Sequence, residues 1–81
     1  MLAAIQAKLH EYLEDRIDLR TFEDWFLPVT WNLKASDEAY GFAGAITLRL
    51  AEFDNGHWTE LELRTQLKRA LLDVAPEAQK R

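Results

Sequence analysis

His10 and Glu14, one helical turn apart with Glu11 beside the histidine, are the first residues whose types and spacing suggest chemistry. The run His10-Glu11-Tyr12-Leu13-Glu14 looks like a shortened form of the zinc-protease motif HExxH. In that motif two histidines at i and i+4 hold the metal and the glutamate serves as general base. Here the second histidine is replaced by Glu14, and the only other histidine is His57. The set is too incomplete for a metal centre and reads as a surface pair across one turn. His57 precedes Trp58 in a turn and reads as a polar turn residue with no orienting partner; its alternative is a contact residue beside Trp58. Ser36 is the only serine, with no histidine or carboxylate placed near it by any motif. There is no cysteine, which removes thiol catalysis, cysteine-ligated zinc and disulfides. Gly41 and Gly44 lie within a helical pattern, not between a strand and a helix, so they do not form a phosphate loop. The expectation is a non-enzymatic chain with no cofactor and no metal.

Charge gives the more informative pattern. Residues 1–62 hold twelve acidic and five basic side chains, whereas residues 63–81 hold two acidic and five basic. An acidic body argues against nucleic acid as partner, since phosphate neutralisation needs a clustered positive surface. Glu11, Glu14, Asp15, Asp18, Glu23 and Asp24 gather around one interhelical turn. They suit steering of a basic protein partner. The plainer reading is a solvated surface, with Asp18 a cap and Glu23 and Asp24 near a helix start. Trp25 and Trp58 are expected to serve the core. Trp31 falls off the main stripe of its helix and is the candidate exposed anchor. Leu48, Leu61 and Leu72 are also off-stripe and suggest a second apolar surface, usable by a homodimer.

The elements that position these residues follow from periodicity. Leu2, Ile5, Leu9, Tyr12 and Leu13 recur at three- and four-residue steps, predicting a helix from about Leu2 to Asp15. Asp18 is a good N-cap for a second helix, with Ile17 and Phe22 in the positions of a hydrophobic staple. That helix carries Phe22, Trp25, Phe26, Val29 and Leu33 on one side. Pro28 inside it removes a backbone donor, so a kink or short break is expected near Leu27, with a further turn through Trp31. Residues 32–37 read as a loop, and Ser36 or Asp37 caps a third helix reaching about Phe53, with Ala39, Phe42, Ile46, Leu50 and Phe53 inward. The small residues Gly41 and Gly44 suggest close approach of a neighbouring helix. Asp54-Asn55-Gly56 is a turn signal. Thr59 and Glu62 form a capping box for a fourth helix, whose inward face is Leu63, Leu67, Ala70, Leu71 and Val74 and which Pro76 ends. No internal repeat is evident. Short connections favour an all-α, compact antiparallel four-helix bundle with a kink near Pro28.

The chain has 81 residues, the length of one domain, and 48% hydrophobic residues, enough for a core. We expect a single helical domain over 1–75 and a frayed tail over 76–81. The N-terminal stretch lacks the features of a signal peptide, and no apolar run is long enough to span a membrane. With no cysteine staples in so small a domain, a cytoplasmic location is expected.

The segments IDLRTFEDWF, LAEFDNG and TELELRTQLKRALL, in that helix order, resemble the small helical bacterial immunity proteins of the colicin-D type. The resemblance covers most of the chain at the level of pattern. It implies a four-helix bundle that plugs the active site of a toxic RNA-cleaving domain, with acidic side chains standing in for RNA phosphates. Glu11, Glu14, Asp15, Asp18, Glu23 and Asp24 are the candidates by type and location. The alternative is a homo-oligomeric structural or adaptor bundle.

Overall fold

The computed structural model describes residues 1–74. Among them are four helices and no strand: α1 (Leu2–Leu13), α2 (Leu19–Thr30), α3 (Tyr40–Asp54) and α4 (Glu60–Val74). This is the all-α class that the periodicity predicts. The expected stop at Pro76 and the tail over 76–81 lie outside the described residues. Among the described residues, no helix is long and apolar enough to cross a membrane. Contacts divide the chain into two units, Met1–Ala43 and a second beginning at Gly44, so the boundary falls within α3.

The first unit is built on a helical hairpin. Helix α1 stops at Leu13, two residues short of the expected Asp15, because the backbone turns left-handed there: Asp15 has φ +65°. The Arg16 N–H donates to the Glu11 carbonyl at 2.8 Å and the Asp15 N–H to the Tyr12 carbonyl at 3.0 Å. These two bonds are a Schellman ending, and they satisfy carbonyls that the last turn leaves open. Asp18 then starts α2, its carboxylate accepting from the Thr21 N–H at 2.8 Å. Ile5, Leu9 and Tyr12 of α1 and Phe22 and Phe26 of α2 are buried. The Tyr12 and Phe22 rings lie 6.1 Å apart and those of Phe22 and Phe26 5.3 Å apart, both stacked.

Pro28 does not interrupt α2, which continues to Thr30 with Trp31 still right-handed. The break expected at Leu27 gives way to the further turn. The carbonyl deprived of a donor by Pro28 is that of Asp24, and both residues are exposed; water can serve that carbonyl at little cost. Neither Ser36 nor Asp37, the two expected caps, sits at the N-cap of α3: the helix starts at Tyr40 and the Ala39 carbonyl takes its first bond, from the Ala43 N–H at 2.8 Å, while Asp37 closes the turn that leads into it. Its carboxylate accepts from the Ala39 N–H at 2.8 Å and its carbonyl from the Tyr40 N–H at 3.0 Å.

In the second unit α3 ends like α1. Gly56 has φ +81°, the His57 N–H donates to the Glu52 carbonyl at 3.0 Å, and the Gly56 N–H donates to the Phe53 carbonyl at 3.0 Å. The expected capping box is present in both directions. The Thr59 N–H donates to Glu62 Oε1 at 2.8 Å and the Glu62 N–H to Thr59 Oγ1 at 3.2 Å. Ile46, Leu50, Leu63, Leu67, Ala70 and Leu71 are buried. Arg49 ties α3 to α4, its Nε donating to the Gln66 carbonyl at 3.2 Å and its Nη1 to the Ala45 carbonyl at 3.0 Å.

One expectation needs correction. Gly41 and Gly44 are exposed, and a Cβ at either would meet nothing within 4 Å. Close helix approach is therefore not what they serve. By residue identity the chain holds no internal repeat, as read, yet a helix–turn–helix geometry recurs. The two hairpins match at a spacing of 41 residues. That shift carries the left-handed Asp15 onto Gly56, the N-cap Asp18 onto Thr59, and both Schellman bonds onto their counterparts. It carries buried Ile5, Leu9, Phe22 and Phe26 onto buried Ile46, Leu50, Leu63 and Leu67. Only Ala4, Ile5, Leu9 and Glu11 are identical to their counterparts over residues 3–26. The rest share character and turn geometry, which identity does not reveal.

Candidate functional site

The acidic residues singled out in the sequence lie around the α1–α2 turn and along α2, all exposed or half-buried. Most have local roles. Glu11 holds the Lys8 ammonium at 3.4 Å. Glu14 holds Arg16 at 3.4 Å and stands 4.0 Å from His10, the pair read from the HExxE spacing. Asp24 stands 3.9 Å from Arg20. Asp15 is the left-handed residue of the α1 ending. Asp18 caps α2, and its bonds from Thr21 hold its carboxyl below the ordinary aspartate value. Glu23 is half-buried on α2. The cluster is thus laced with its own cations. Exposed pairs of this kind contribute little each, yet they leave an imbalance. Residues 1–43 carry eight acidic and four basic side chains.

Trp31 is 81% exposed, as its off-stripe position predicts. Residues at i, i+4, i+7 and i+11 share a helix face. On α2 these are Arg20, Asp24, Leu27 and Trp31, and all four are exposed. The opposite side carries the buried Phe22 and Phe26. One helix therefore presents an indole and a leucine, one turn apart, next to a carboxylate and a guanidinium. Leu48, Leu61 and Leu72, also read as off-stripe, are exposed. Trp25 and Trp58 are half-buried.

A feature that sequence reasoning missed lies in the second unit. Leu48, Arg49, Glu52, Trp58 and Gln66 line a groove of about 290 Å³. His57, read as lacking an orienting partner, has one: its Nδ1 lies 2.5 Å from Glu52 Oε1. The Schellman ending of α3 produces that pairing, since the His57 N–H already bonds the Glu52 carbonyl. A left-handed residue at Gly56 was the signal in the sequence that brings residue 57 back over residue 52. Among the described residues, no three histidine, aspartate or glutamate side chains converge on a point that could hold a metal ion.

Compared with family models, curated proteins and solved structures, the chain matches none.

Proposed function

We propose that this protein is a non-catalytic protein-binding module that presents the outer face of α2 to its partner. The exposure of Trp31 carries the reading. Leaving a tryptophan 81% exposed forgoes apolar burial in a chain of 81 residues, where burial of one large side chain is worth about 1.5–3 kcal/mol. Leu27, 48% exposed one turn away, extends the same face. Tryptophan is a favoured interface anchor because a large rigid ring is desolvated at little entropic cost.

The finer form of the proposal is an immunity-like inhibitor, bacterial and cytoplasmic, that binds a basic toxin or nuclease. Its support is the residue pattern described above and the excess of carboxylates over residues 1–43. Glu11, Glu14, Asp15, Asp18, Glu23 and Asp24 then steer the partner's positive surface, and Trp31 anchors it. Steering of this kind acts on the association rate and weakens with salt. The test is capture from source-cell extract at low and high salt, with the wild type and Trp31→Ala compared by mass spectrometry. A basic protein retained near equal stoichiometry, weakened by salt and lost with Trp31→Ala, is expected. Equal retention by both proteins would remove Trp31 from the interface.

A second reading, self-association, is favoured by the groove in the second unit.

A further inference from the structure

We propose that the groove lined by Leu48, Arg49, Glu52, Trp58 and Gln66 receives the indole of Trp31 from a second copy of this chain. This rests on the reading of Trp31 as an interface anchor, in its self-association form, and names a second copy in place of a basic protein as what the indole docks into. The match between the hairpins supplies the template. In the first unit the Lys8 ammonium lies 5.6 Å from the centre of the Trp25 ring, within the range of a cation–π contact. A shift of 41 residues carries Lys8 onto Arg49 and Trp25 onto Gln66. The second unit therefore keeps the cation but has glutamine at the position of the Trp25 ring, and a groove lies where Arg49 and Gln66 meet, with Trp58 as another of its walls.

The walls suit an indole. Arg49 is fixed before any ring arrives, because its Nε and Nη1 already donate to the Gln66 and Ala45 carbonyls. A planar guanidinium held in this way stacks on an aromatic face. Trp58 and Leu48 supply apolar surface. Glu52 engages His57 through Oε1, and its second oxygen can accept the indole N–H, a donor that buried tryptophan needs to satisfy. About 290 Å³ is room enough for one indole and is just below the usual range for small-molecule sites. The chain offers that ring itself in Trp31, its most exposed large apolar side chain among the described residues.

A ring in a groove buries less than a standard interface, so the association is weak, with a dissociation constant of roughly 10 µM to 1 mM. Sedimentation velocity on the full chain across that range tests it. The wild type should self-associate. Trp31→Ala removes the ring, and Gln66→Trp fills the groove as Trp25 does in the first unit. Each should weaken association by about tenfold or more. Mixing the two variants should restore a complex, because Trp31→Ala still offers the groove and Gln66→Trp still offers the indole. Leu48→Lys, at a lining residue already 64% exposed, blocks the groove if Gln66→Trp does not fold. A monomeric wild type, association that survives either block, or a mixture with no complex would each overturn the inference. If the wild type is monomeric yet Trp31→Ala loses a different captured protein, this inference fails and the interface reading stands. If Trp31→Ala changes neither association nor capture, the interface reading fails as well.

Discussion

Asp15 and Gly56 stand at the same place in two matching turns, with φ +65° and +81°. Exchanging their residue types should move stability in opposite directions. A left-handed conformation costs an L-residue roughly 1–2 kcal/mol, less for aspartate, whose short side chain bonds locally. Glycine escapes that penalty but loses more backbone entropy on folding, by roughly 0.5–1 kcal/mol against alanine. The balance makes Asp15→Gly stabilising and Gly56→Asp destabilising, each by about 0.5–1 kcal/mol. For a domain this small that is a shift in Tm of about 2–8 °C. No clash contributes at the second site, because a Cβ on Gly56 meets nothing within 4 Å. At Gly56 the effect is therefore free of any steric term. Urea and thermal unfolding followed by far-UV circular dichroism would measure it. Gly56→Ala, which has no side-chain hydrogen bond to offset the strain, should cost more than Gly56→Asp. Shifts of the same sign at the two sites would refute the turn equivalence and the reasoning from it.

Other outcomes follow from the same structure. Gly44→Ala should stabilise by about 0.5–1 kcal/mol, since the glycine is exposed inside α3 and crowds nothing; a loss of stability in urea unfolding would show an unrecognised close contact. Phe22→Ala, which removes a buried ring stacked on Tyr12 and Phe26, should cost about 3–5 kcal/mol and approach global unfolding; a change below about 1 kcal/mol would mean the ring cluster is not central to the core. Asp18 has a folded-state carboxyl held below its unfolded value by Thr21. Its contribution is therefore present above the unfolded pKa and lost as pH falls through the folded one. Asp18→Asn should flatten stability over that acidic window, and an unchanged pH profile would count against the cap. Trp31→Ala should leave stability within about 0.5 kcal/mol because the ring is mostly exposed; a large drop in Tm would place the indole in the core.

Much of the fold was legible because the helix signals are local. The Thr59–Glu62 capping box and the Asp18 cap appear as read, since each needs only residues within one turn. The inward stripes of α3 and α4 were legible from periodicity. Trp31 was read as exposed for the same reason, its phase on α2. The end of α1 was misplaced because aspartate, not glycine, takes the left-handed position there. The recurrence of the turn geometry was hidden because the matching turns use different residues for it: aspartate against glycine, and aspartate against threonine. The groove was hidden because it needs Arg49, Trp58 and Gln66 at once, from α3, the turn and α4. The His57–Glu52 pair was missed because a Schellman turn joins residues five apart, outside helical spacing. The acidic cluster is legible as composition, and so is its partial offset by Arg16 and Arg20; which carboxylate each cation meets depends on side-chain geometry that composition does not carry.

The central claim is that Trp31 and its face of α2 form a protein interface. The most direct measurement replaces Trp31 with a photoactivatable phenylalanine analogue in source cells, with Lys68 on exposed α4 surface as the control position. A defined covalent adduct from position 31, of heteromeric or dimeric mass, and none from position 68, is the expected result. No adduct at position 31, or the same adducts at both positions, would contradict it.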